Sequence, residues 1–151
     1  MIKGNFAVAQ SGGPTAAINA TLCGVIEGAF AQGRKIYGAV NGVLGVINGK
    51  FSNLNETFSN MDNLQLLKTT PSAYLGSCRY KMPNPEDNTD IYETIFDNFK
   101  KYEISMFIYI GGNDSMDTVR KLSAYAKLHG KDTCIVGVPK TIDNDLMNTD
   151  H

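Results

Sequence analysis

The sequence predicts an α/β fold: a doubly wound, mainly parallel sheet flanked by helices, Rossmann-like in layout and incomplete. Three observations predict it. Short strand-like segments recur at residues 5–10, 35–40, 104–110 and 133–138, and the run 104–110 is apolar throughout except for Ser105, as expected of a central parallel strand. Segments with apolar residues at helical spacing lie between them. Glycine-rich or polar turns directly follow three of the four strand-like runs.

Taken in order, the first strand at 5–10 is broken by Ser11-Gly12-Gly13-Pro14-Thr15. A helix from Ala16 carries Ile18, Leu22, Val25, Ala29 and Phe30 on one face, and Gly33 ends it. The second strand covers 35–40. Residues 41–67 hold several glycines and asparagines and predict loops and short elements, with a short helix over 61–67. Residues 69–80, with Pro71 and Gly76, read as an ordered loop that continues through Pro83-Asn84-Pro85. Asn88 or Thr89 caps the next helix, whose inward face is Ile91, Ile95, Phe99 and Tyr102. After the strand at 104–110, Gly111-Gly112-Asn113-Asp114 leads into a helix that begins at Ser115 and turns Met116, Val119, Leu122 and Ala126 inward. The last strand, 133–138, is followed by a polar loop and no helix, so the chain is expected to be part of a longer protein.

Composition narrows the functional classes. The chain has 151 residues, 42% of them hydrophobic, which suits one domain with a core. A formal net charge of -1 predicts neither a nucleic-acid partner nor a basic membrane patch. The apolar runs fall well short of the ~20 residues that span a bilayer, and no secretion signal is read at the start. The three cysteines, Cys23, Cys78 and Cys134, stand apart without CxxC spacing. They are expected to be buried free thiols in a reducing, cytoplasmic compartment. His129 and His151 are too scattered for a His-based metal site.

Three strand ends carry polar loops: Gln10 to Thr15, Gly111 to Ser115, and Pro139 to Asp145. Ligands of open α/β sheets bind beyond the carboxyl ends of the strands. Glycines let backbone approach a phosphate, and the helix that follows points free amides at it. A single Gly-Gly is equally well a plain tight turn; two such loops in one sheet favour an anion site. There is no GxxxxGK[ST] and no GxGxxG. On spacing alone Asp143 and Asp145 have two readings. They are turn formers or helix caps, or they hold Mg2+ and take a proton from an attacking hydroxyl.

Four motifs resemble a known family. Gly111-Gly112-Asn113-Asp114-Ser115 is similar to the GGDGS-type loop of phosphofructokinases, and Pro139-Lys140-Thr141-Ile142-Asp143-Asn144-Asp145 to their PGTIDND loop. Ser11-Gly12-Gly13-Pro14 followed by Asn19 resembles their first phosphate loop, and Leu75-Gly76-Ser77-Cys78-Arg79 the segment with their substrate-binding arginine. The resemblance implies that residues 1–151 form the N-terminal phosphoryl-donor-binding domain, without the second, sugar-phosphate half. It implies Asp143 as general base toward a sugar C1 hydroxyl, with Thr141 and Asp145 orienting the sugar. The resemblance further implies that Arg79 stabilises the transferring phosphoryl group, that Gly13, Gly112, Asp114, Ser115 and Lys140 bind the donor, and that fructose 6-phosphate is the acceptor, Mg2+ the cofactor and the full-length protein a homo-oligomer.

Two departures bear on the donor. Asp114 and Lys140 replace glycines of the ATP-type pattern, and together they resemble the pyrophosphate-dependent branch. Aspartate crowds and repels a nucleotide α-phosphate; lysine adds a charge for pyrophosphate. The stretch Val40-Asn41-Gly42-Val43 also lacks a tyrosine found near the nucleotide in some ATP-type members. A third departure bears on the metal: Asn113 stands where the family's Mg2+-linked aspartate is expected, so Asp114 is the candidate ligand. The alternatives are an ATP-dependent phosphofructokinase, a more distant NAD or lipid kinase, and a non-catalytic phosphate- or partner-binding domain. The fragment alone is expected to be inactive.

Overall fold

The computed structural model describes residues 4–13 and 15–140. Five strands form one sheet in the order β3-β2-β1-β4-β5. Strands β1 (Asn5–Gln10), β2 (Ile36–Ala39), β4 (Ile104–Gly111) and β5 (Cys134–Pro139) are parallel. The short edge strand β3 (Phe51–Asn53) runs antiparallel to β2. Among the described residues, the helices are α1 (Ala16–Ala31), α2 (Val43–Ile47), α3 (Leu54–Thr57), α4 (Met61–Thr69), α5 (Thr89–Lys101) and α6 (Asn113–Leu128).

Alternation along the strands builds two cores. In β1, Phe6 and Val8 face a layer that includes Ile18, Leu22 and Ile26 of α1 and Leu64 and Leu67 of α4. Ala7 and Ala9 face the other layer, with Ile95 and Phe99 of α5 and Leu122 and Tyr125 of α6. Successive side chains of a strand point to opposite faces, so a strand covered on both sides must be apolar throughout. This explains why the run in β4 does not alternate.

Local signals set the helix ends. The side chain of Asn88 accepts from the Ile91 N–H and caps α5. Asn60 caps α4 by accepting from Asp62. The chain leaves α1 at Gly33, whose N–H returns to the Phe30 carbonyl at 2.9 Å.

Several expectations are corrected. Helix α6 begins at Asn113, two residues before Ser115, with Gly112 as its N-cap. Its buried face is Ser115, Thr118, Lys121, Leu122, Tyr125 and Ala126, whereas Met116 and Val119 are half-buried and lie against Gly137 of β5. In α5, Tyr92 and Phe96 join Ile95 and Phe99 in the core, and Ile91 is half-buried. Cys23 is buried, but Cys78 is half-buried and Cys134 exposed. Cys134 opens β5, which has a strand neighbour on one side only and whose residues are at best half-covered. Among the described residues, no helix is long and apolar enough to cross a membrane.

Candidate active site

In this sheet β1 leads through α1 to β2 on one side, and β4 leads through α6 to β5 on the other. The strand order therefore reverses between β1 and β4, and ligand crevices form at that kind of switch point. The carboxyl end of β1 delivers Ser11, Gly12 and Gly13, and that of β4 delivers Gly112 to Ser115. A cleft of about 750 Å³ opens between them.

Three loops meet at its rim. Gly12 has φ +87°, in the left-handed region, and a Cβ there would stand 3.4 Å from the Gly112 nitrogen and 3.7 Å from Lys140 Nζ. Those distances are ordinary contacts, so it is the left-handed φ that calls for glycine here. The Lys140 N–H donates to the Gly111 carbonyl at 2.8 Å. Its ammonium then crosses to the first turn and donates to the Gly13 carbonyl at 2.6 Å.

Tyr109 forms part of the floor. It is 2% exposed, and the Val43 N–H donates to its hydroxyl at 3.3 Å. Burial pushes its phenol up; hydrogen bonds to the Ser11 and Ser115 hydroxyls and to Val43 act in the opposite direction. A Cβ on Gly42 would lie 2.8 Å from Cys78 Sγ and 3.1 Å from the Tyr109 hydroxyl, so the 41–42 turn is pressed against this floor.

Arg79 enters along one wall, on a segment without regular structure. The Ser11 hydroxyl donates to the Cys78 carbonyl at 2.9 Å, and the Asn41 N–H to the Leu75 carbonyl at 2.8 Å. The arginine segment is thereby fastened to the first glycine turn.

Gly13, Gly112, Asn113, Asp114, Ser115 and Arg79 all line the cleft, and Lys140 reaches its rim. Ser115 is 4% exposed, so its hydroxyl works beneath the cleft. Thr141, Asp143 and Asp145 lie outside the described residues. Among the described residues, Arg79, Lys81 and Lys140 oppose one carboxylate, that of Asp114, and the amino end of α6 points at the same space. That balance suits an anionic ligand with several oxygens. No group of three or more His, Cys, Asp or Glu side chains that could hold a metal occurs among the described residues. One exposed carboxylate, completed by phosphate oxygens and water, is nevertheless a donor set that suits Mg2+. Among the described residues at the cleft, Asp114 is the carboxylate that fits that role.

Sequence reasoning did not single out Tyr109, Tyr80 or Lys81, which also line the cleft. Tyr109 sits in a strand that is apolar on both faces, so no periodicity marks it. A second hollow, of about 890 Å³, lies at the opposite edge by Gly4, Glu103 and Thr133. The carbonyl ends of α5 and α6 are directed to that edge, which disfavours an anion.

The sequence profile described as phosphofructokinase matches residues 5–151. A pyrophosphate–fructose 6-phosphate 1-phosphotransferase of Xanthomonas campestris is 42% identical over 150 residues, covering 99% of this chain and 35% of that protein. An ATP-dependent 6-phosphofructokinase of Glaesserella parasuis is 31% identical over 152 residues, covering 100% of this chain and 43% of that protein. The crystal structure of a pyrophosphate-dependent phosphofructokinase from Nitrosospira multiformis matches with a TM-score of 0.86 at 40% identity, covering 97% of this chain and 36% of that one. The chain spans about a third of the length of its pyrophosphate-linked relatives.

Proposed function

The chain belongs to the phosphofructokinase family, and from that premise we propose that it is the N-terminal, phosphoryl-donor-binding part of an enzyme that moves a phosphoryl group from pyrophosphate to the 1-hydroxyl of fructose 6-phosphate. The product is fructose 1,6-bisphosphate, a step of glycolysis. The observation that carries the reading is the meeting of Asp114 and Lys140 at one cleft between two glycine turns. The higher identity to the pyrophosphate-linked relative, 42% against 31%, supports the same donor.

In this reading the donor phosphates lie along Gly12, Gly13 and Gly112, where backbone amides and the amino end of α6 face them. Arg79 spreads its permanent charge over the transferring group. Asp143 takes the proton of the C1 hydroxyl as its oxygen bonds to phosphorus. The bridging P–O bond of pyrophosphate breaks and inorganic phosphate leaves. Thr141 and Asp145 hold the sugar so that the hydroxyl oxygen lies in line. Mg2+, when bound, neutralises phosphate charge, and Asp114 would hold it. Asp114 also fills space that a nucleotide's α-phosphate and ribose need. We further propose a homo-oligomeric full-length enzyme in the cytoplasm, with no nucleic-acid or membrane partner.

The test is turnover of fructose 6-phosphate by the full-length enzyme with pyrophosphate and with ATP. Pyrophosphate is expected to be preferred, and the 151-residue chain alone to be inactive. Preference for ATP overturns the donor assignment and leaves the family. Binding of phosphate without turnover by the full-length protein supports the non-catalytic reading instead.

A further inference from the structure

Resting on the reading of Arg79 as the group that meets the transferring phosphoryl, we propose that Gln10 and Asn19 are positioning residues that set the Arg79 segment against the first glycine turn. Both are buried amides, 0% and 1% exposed. Gln10 sits at the carboxyl end of β1, and its Oε1 accepts from the Leu75 N–H at 2.9 Å. Its Nε2 donates to the Ile18 carbonyl at 3.0 Å and to Asn19 Oδ1 at 3.1 Å. Asn19 Oδ1 also accepts from the Tyr74 N–H at 2.9 Å, and its Nδ2 donates to the Thr70 carbonyl at 2.9 Å.

Every one of these bonds except that to Ile18 links the two amides to each other or to residues 70–75. That stretch has no helix or strand of its own beyond the end of α4. Apart from the Asn41 N–H bond to the Leu75 carbonyl and local turn bonds, its backbone depends on what these side chains offer it. The pair is also costly to bury unless its partners are in place, so its geometry admits one arrangement of the segment. Leu75 then plugs the core: a Cβ on Gly38 of β2 would lie 2.5 Å from its Cδ2. Four residues on comes Arg79, with the Cys78 carbonyl tied to Ser11, the residue after Gln10. Both ends of the stretch between Leu75 and Cys78 are thus bonded to consecutive residues, Gln10 and Ser11. The donor loop and the arginine that acts on the donor therefore share one frame.

The experiment is a double-mutant cycle in the full-length enzyme with Gln10→Met, Arg79→Ala and the pair, read as kcat and KM for pyrophosphate alongside a thermal melt. Gln10→Met keeps the side chain's length and removes its polar ends. Expected is a fall in kcat of about 10- to 100-fold, the scale of a misplacement near 1 Å. The KM for pyrophosphate should move by less than about threefold, since the lost interaction belongs to the transition state. In the Arg79→Ala background Gln10→Met should have no further effect on kcat. Parent-like kcat in Gln10→Met, or losses that multiply in the double variant, overturn the proposal while leaving the role of Arg79 intact. If Arg79→Ala itself turns over like the parent, the role of Arg79 falls and the proposal with it. Should Gln10→Met not fold, Asn19→Ala carries the same cycle, because it spares the Gln10 bonds to Leu75 and Ile18.

Discussion

The ammonium of Lys140 donates to the carbonyl of Gly13 at 2.6 Å, joining the end of β5 to the turn that follows β1. A neutral carbonyl is a weak partner for a full charge. A pyrophosphate oxygen entering the cleft is a stronger one. In the proposed function, the lysine is thus held near the cleft by a contact that a pyrophosphate oxygen can replace.

Lys140→Gly in the full-length enzyme should lower kcat/KM for pyrophosphate by about 2–4 kcal/mol of transition-state binding, the cost of losing a charged contact to a partly buried phosphate. Asp114→Gly should raise ATP use while pyrophosphate use falls only moderately. The double variant should shift preference furthest toward ATP. Steady-state kinetics with both donors on the three variants check this; an Asp114→Gly enzyme with unchanged ATP use removes the steric and electrostatic role given to Asp114.

Asp143→Ala should reduce turnover by ~100- to 10,000-fold, the usual range for loss of a general base. Circular dichroism should show the fold retained. Turnover within a few-fold of the parent would exclude the role.

Gly12→Ala should weaken donor use and stability together. The substitution forces an L side chain into φ +87°, at a cost of ~1–3 kcal/mol. Its methyl would make only ordinary contacts with the Gly112 nitrogen and Lys140 Nζ, so the strain of φ is what the substitution costs. Denaturant melts and the KM for pyrophosphate are the readouts; a variant unchanged in both means the turn relaxes without consequence.

Asp117→Asn should make stability less sensitive to acid. Asp117 pairs with the mostly buried Lys121 at 2.7 Å and with Arg120 at 2.8 Å. The hydrogen bonds from Lys121 and then Arg120 hold its carboxyl below its ordinary value. A depressed folded-state pKa means the stabilisation is complete above the ordinary carboxylate range and is lost as pH falls through the folded value. Its side chain is 35% exposed, so screening limits the loss in Asp117→Asn to about 1 kcal/mol near neutral pH. The gap between parent and variant should close as pH falls below the ordinary carboxylate range and through the lowered folded value in denaturation curves. A gap that persists at the acid end contradicts the assignment.

The order of the four parallel strands and of the longer helices between them, the glycine turns after β1 and β4, and the cap of α5 were legible in the sequence because each is a local property. An apolar run such as that of β4 is intelligible only if both its faces are covered. Asn88 before Thr89 caps a helix wherever that helix packs. The motifs also picked out Gly13, Gly112, Asp114, Ser115 and Arg79, which the structure gathers at one cleft. What the tertiary structure alone decided is which local pieces meet. Residues 5–10 and 104–111 pair because the sheet places β1 beside β4, and the chain between them carries no mark of that pairing. β3 turned antiparallel at the edge, where one short strand completes β2. Lys121 is buried although its type predicts exposure, because its ammonium reaches the Met82 carbonyl at 2.8 Å and the Asp117 carboxylate. The Gln10–Asn19 pair binds a loop some 50 to 65 residues away. Non-local pairing is set by the shape of the assembled core and the need to satisfy buried polar groups, and neither is written within a window of neighbouring residues.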